Sequence, residues 1–146
     1  MVICQCANLE NMHLQLSKNF TLEEFTYSRI AIEQGLENIP NPQALLALKN
    51  LTGYLLQPLR ERYGKTIAIT SGYRNEAVNL LAGGVKNSQH TKGEAADCYI
   101  AEGPEVLLGI LQASGLAFDQ AIVYRRKKFL HLSYQEGFNR RQVLFG

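Results

Sequence analysis

Apolar and polar residues alternate with changing period along the chain, and the changes mark its elements. Phe20-Thr21-Leu22-Glu23-Glu24-Phe25 reads as a helix start, with Thr21 as N-cap and Glu24 three residues later completing a capping box. The pattern predicts a helix to about Gln34, ended by Gly35. Asn38-Ile39-Pro40-Asn41-Pro42 predicts a turn, with Asn41 capping the next helix and Pro42 at its first position. That helix carries Leu45, Leu48, Leu51, Leu55, Leu56 and Leu59, mostly three or four apart, so one face is buried. Pro58 interrupts it late and Gly64 ends it.

Beyond Gly64 the period shortens. Thr66–Ser71 is β-branched and predicts a strand, and Asn75–Leu81 a short helix. Residues 82–93, rich in Gly, Asn, Ser and Lys, predict a loop. Ala95–Ile100 reads as a buried strand, and Gly103-Pro104-Glu105 opens a helix that runs to about Ser114, closed by Gly115. Phe118–Tyr124 and Phe129–Tyr134 form a hairpin with Arg125-Arg126-Lys127-Lys128 at its tip, and residues 137–146 supply an edge strand. Helices first, then closely connected strands, indicate an α+β fold with a small antiparallel sheet and flanking helices.

Composition narrows the class. The 146 residues suit one domain, and 46% apolar with 19% charged residues describes a globular chain. A net charge of +2 gives no reason to expect nucleic acid or a membrane surface. The basic hairpin tip lacks the interleaved aromatics of a base-stacking surface. No run reaches transmembrane length, and no secretory signal is evident at the start. Residues 1–16 read as an N-terminal extension and residues 17–146 as one domain, expected to be monomeric; Met12 offers an alternative start. Cys4 and Cys6 read as free thiols and Cys98 as a small buried hydrophobe.

The candidate chemistry lies in three segments. Zinc needs donors that converge from a rigid scaffold, and a catalytic site uses three of them. His90 lies in the polar loop, and Gly93 lets that loop turn back. Asp97 sits between alanines and a cysteine in an apolar strand, where a bare carboxylate is costly. A cation, a hydrogen-bond network or a metal would compensate it. Strand alternation points His131 away from Leu130 and Leu132. Spacing alone leaves a hydrogen-bonded structural histidine and an Arg-paired aspartate as alternatives.

Ser71-Gly72-Tyr73-Arg74, then Ser88-Gln89-His90-Thr91-Lys92-Gly93-Glu94-Ala95-Ala96-Asp97, then Phe129-Leu130-His131 together resemble the zinc D-alanyl-D-alanine carboxypeptidase family, which includes dipeptidases and phage endolysins. Phe20–Phe25 and Phe118-Asp119-Gln120 resemble its carboxypeptidase branch. The resemblance implies a fold of the hedgehog/DD-peptidase type and one zinc ion held by His90, Asp97 and His131. It implies that Arg74 polarises the scissile carbonyl, that Tyr73, Ser88 and Gln120 line the substrate cleft, and that the partner is a peptidoglycan stem peptide. It also implies a protein made in a bacterial or phage-infected cytoplasm that acts on the cell wall.

One position departs from the family. Many members carry an acid three residues before the last histidine ligand, where this chain has Lys128; others carry it at the end of the preceding strand, where this chain has Tyr124. Asp119 is the first candidate for the general base and Glu94 the second. The alternatives are a substrate-binding role for the basic tip, and a zinc-bearing module that binds peptidoglycan or a protein without cutting it.

Overall fold

The computed structural model describes residues 14–146. Cys4, Cys6 and the Met12 start lie outside the described residues.

Thr21 caps α1 (Leu22–Thr26), its backbone N–H donating to the Glu24 carboxylate at 2.7 Å. The single helix expected to Gln34 is two. Tyr27 is extended, and Ser28 caps α2 (Arg29–Glu33) by accepting from Ala31 N at 3.1 Å. The break has a physical cause. It frees two carbonyls for tertiary bonds, Phe25 O accepting from Tyr73 N and Thr26 O from the Asn38 amide.

Asn41 caps α3 (Pro42–Asn50), which runs through a π-helical turn (Leu51–Leu56) into α4 (Gln57–Tyr63). The interruption expected at Pro58 takes this form: the widened turn lies just before a residue with no N–H to donate. Gly64, in the left-handed region, closes α4. Leu48, Leu51, Leu55 and Leu59 are fully buried, each contributing about 1.5–3 kcal/mol.

Two sheets follow. β1 (Gln15–Ser17) pairs antiparallel with β2 (Phe20–Thr21), and Leu14 and Leu16 pack on the core, so residues 14–16 join the folded body. The larger sheet has the order β3 (Ala68–Ser71), β4 (Ala95–Tyr99), β6 (Phe129–Ser133), β5 (Gln120–Tyr124), β7 (Gln142–Phe145). Its first four strands pair antiparallel, as expected; β7 runs parallel to β5 and makes the sheet mixed. Between β3 and β4 lie α5 (Glu76–Leu81) and a 3₁₀ turn (Gln89–Lys92) inside the expected loop. Between β4 and β5 lies α6 (Pro104–Ser114).

Strand alternation divides the sheet's two faces. Ala96, Cys98, Leu130, Leu132, Ala121 and Val123 join Leu107 and Leu111 of α6 in the core. Asp97, His131 and Ile122, one residue out of phase, face the other way. Among the described residues, no helix is long and apolar enough to cross a membrane.

Candidate metal centre

Ser71, Asp97, His131 and Ile122 form one row across β3, β4, β6 and β5, because Asp97 pairs directly with Ser71 on one side and His131 on the other, and His131 with Ile122. The third group comes from outside the sheet. Ser88 Oγ accepts from His90 N at 3.2 Å and caps the 3₁₀ turn, and Gly93 at φ +75° ends it. That turn carries the His90 ring over the sheet to 5.0 Å from the His131 ring.

His90 Nε2 lies 3.3 Å from Asp97 Oδ1, and His131 Nδ1 lies 3.0 Å from the same oxygen. One donor atom from each residue falls within 4.8 Å of the others. Ligands about 2.0–2.1 Å from a tetrahedral ion stand roughly 3.3 Å apart, so the donor set fits zinc. His90 Nδ1 lies 2.7 Å from Gly72 O. A carbonyl only accepts, so Nδ1 carries the proton and Nε2 keeps its lone pair for a cation. His90 and Asp97 are buried and His131 is half-buried. Burial pushes the Asp97 carboxyl up, but hydrogen bonds and charge from His131 and His90 outweigh it and hold the group well below the usual carboxylate range.

Asp97, His131 and Ile122 of the row line the floor of an open cleft of about 600 Å³. Arg74 lines it and is fixed by its backbone N–H, which donates to His90 O at 3.1 Å. Its buried Nε has no hydrogen-bond partner. Burial lowers its pKa and the Asp97 charge raises it; a guanidinium remains charged at neutral pH. A cation lining the cleft beside the donor set suits a substrate oxyanion.

Ser88 and Gln120 also line the cleft. Tyr73 does not: it is 6% exposed and packs in the core, its N–H bound to Phe25 O and its carbonyl to the Asn38 amide. Burial, then the Glu76 charge, pushes its pKa up. It therefore holds the backbone of its motif instead of facing substrate.

Asp119 reaches the cleft wall, but both its oxygens are engaged. Oδ1 accepts from Arg140 Nε at 2.8 Å and Arg140 N at 3.1 Å, and Oδ2 from Arg140 Nη2 and the Gln89 amide, each at 2.9 Å. The Arg140 hydrogen bonds hold its pKa below the usual carboxylate range, so Asp119 is a weak proton acceptor and a strong clamp on the segment leading into β7. Glu94 also lines the cleft; burial pushes its pKa up, against the weaker pull of Lys92 and Gln89. Burial likewise pushes up the Cys98 thiol, as a buried hydrophobe requires.

Sequence reasoning missed Arg140, Asn38 and the Gly72 carbonyl. The first had a signal: a buried Asp119 needs a cation, and the tail supplies Arg140 and Arg141. Asn38, which bridges Thr26 O, Tyr73 O and Asn75 N, had none beyond its place in a turn.

No curated protein matches the chain. A family model described as peptidase M15 matches residues 18–133, most of the chain and all three motifs. With its His-Asp-His donor set, its cleft-lining arginine and its α+β sheet, the chain belongs to the M15 peptidases, the zinc D-Ala-D-Ala carboxypeptidase type.

Proposed function

We propose that this protein hydrolyses a peptide bond in bacterial peptidoglycan stem peptides, near D-alanine or D-glutamate, using one zinc ion held by His90, Asp97 and His131. The convergence of those three donors within 4.8 Å of one another, in a cleft that also holds Arg74, carries the reading. Zinc bound there would supply a Lewis acid and lower the pKa of water to about 7.

The chain's own residues do the rest. The Gly72 carbonyl keeps His90 in the ligating tautomer. Arg74 offers its guanidinium, which lines the cleft, to the carbonyl oxygen of the scissile bond as negative charge develops on it. Glu94 takes the proton of the attacking water and returns it to the leaving amine, because it is the cleft carboxylate that neither belongs to the metal set nor is clamped by an arginine. The substrate, if this is an endolysin, is reached from the cytoplasm with the help of a separate membrane-permeabilising protein.

The test is mass spectrometry of purified peptidoglycan after digestion with zinc-loaded protein, beside a chelated sample and His131→Ala. New amino groups at one stem-peptide bond, only with zinc and only in the wild type, are expected. Cleavage that survives both chelation and His131→Ala rejects the assignment. A second reading has its own observation: Lys128 and Tyr124 stand where relatives carry an acid, and Asp119 is taken by Arg140. A zinc-loaded protein that binds peptidoglycan without releasing any amine supports that reading, a binding module of the same fold.

A further inference from the structure

The register of β5 and β6 lays out the cleft floor. Ile122 lies opposite His131, and Tyr124 opposite Phe129. Residues two apart share a strand face, and all four line the cleft. Two residues advance about 7 Å along a strand, so the Tyr124–Phe129 pair sits one layer from His131, toward the hairpin tip. Their rings stack with centroids 4.6 Å apart and planes at 25°, forming a half-buried aromatic wall. Lys127 follows at the tip and lines the same cleft.

The lining carries cations beyond the tip as well as at it, Arg74, Lys92 and Arg140 beside Lys127, but its carboxylates are unevenly placed. The other two carboxylates of the lining, apart from Asp97, lie at the far end: Asp119 just precedes β5, and Glu94 just precedes Ala95, which pairs with Ser133 at the end of β6 away from the tip. Arg125 is committed to Glu105 at 2.7 Å and to the Phe145 ring. Among the described residues, Lys127 has no ion pair. An aromatic wall ending in an unpaired ammonium suits a small residue with apolar atoms and an anionic group.

We propose that the hairpin-tip end of the cleft is a subsite for a substrate residue bearing a free carboxylate, which pairs with Lys127 while the residue's apolar atoms rest on Tyr124 and Phe129. This assignment rests on the stem-peptide reading above and makes Lys127 a specificity-determining residue. The carboxylate has two sources in such a peptide, the chain terminus and the α-carboxylate of a γ-linked D-glutamate.

The experiment is calorimetric binding of four synthetic pentapeptides of the form L-Ala-γ-D-Glu-L-Lys-D-Ala-D-Ala to zinc-loaded protein. One has both carboxylates free, two have one or the other amidated, and one has both amidated; cleavage is followed in the same samples. Amidation of one of the two carboxylates is expected to weaken binding about fivefold, the scale of a partly solvated ion pair, and the arm that responds names the source. Lys127→Met should remove the preference and Lys127→Arg keep it. Arg126→Met, which loses the same charge at the same tip outside the cleft lining, should also keep it. Equal binding of all four peptides, binding of none, or a preference that survives Lys127→Met overturns the subsite. Preference without cleavage overturns the peptidase reading and leaves the subsite; cleavage without preference does the reverse.

Discussion

Arg74 is held at both ends of its role. Its backbone N–H is tied to His90 O, while its buried Nε has no partner. A buried donor left unmade costs free energy, while the residue itself lines the cleft and can present its guanidinium to substrate. Arg74→Lys keeps the charge but loses the fork of fixed donors. It should lower kcat by about 10²–10³ with zinc content unchanged, measured by metal analysis beside stem-peptide cleavage. Glu94 makes a prediction in the same assay. Burial raises its pKa, so its basic form is lost as pH falls through a value above the ordinary glutamate range. The acid side of the kcat/KM profile should therefore fall there, and Glu94→Gln should remove that limb and lower kcat by about 10² or more. A variant that keeps both rate and limb takes Glu94 out of the reaction. An acid among alanines and a histidine out of phase with two leucines each demanded an explanation, but spacing left structural roles open for both, and only the family resemblance named them as ligands. Tyr73 was not, since its motif gives its neighbours but not the side of the backbone on which its ring packs.

At the level of elements, the short turn that delivers His90 depends on one residue. Gly93 adopts φ +75°, and a Cβ there would lie 2.3 Å from Ala44 O on α3. The left-handed backbone alone costs an L-residue about 1–2 kcal/mol, and the clash with a helix carbonyl adds to it. Gly93→Ala should therefore lower the unfolding midpoint in denaturant and weaken zinc binding, because relief of the clash moves the turn off α3 and carries His90 with it. Loss of stability with zinc affinity unchanged would show that the turn does not set the ligand's position. The strands of the larger sheet and most helix starts were readable from period and caps, but the β1–β2 pair was not, lying partly in residues read as an extension. The break at Tyr27 was not, because it is fixed by bonds to Asn38 and Tyr73 from distant segments. Nor was the direction of β7, which follows from a clamp between Asp119 and Arg140, 21 residues apart.

The whole molecule separates its functions by sheet face, with the helical core on one side and the ligand row on the other. The ligand side brings His90 and His131 to one Asp97 carboxylate oxygen, an arrangement absent from the unfolded chain. Zinc binding should therefore appear as global stability. Free zinc at a hundredfold excess over its Kd contributes about 2.7 kcal/mol, so the zinc-loaded protein should melt higher than the chelated one, by an amount that grows with free zinc. The sign of the pH dependence follows from the donors. Protons compete with zinc for imidazole nitrogen and carboxylate oxygen, so the gap between loaded and chelated protein should narrow as pH falls. His131→Ala should close the gap at every pH, while the buried Leu48 of the opposite face, cut to Ala, should lower both melting temperatures by a similar amount and leave the gap intact. Scanning calorimetry of the three proteins with and without chelator tests this. A wild-type melting temperature indifferent to zinc at neutral pH would remove the metal from these three residues and, with it, the catalytic role given to the cleft.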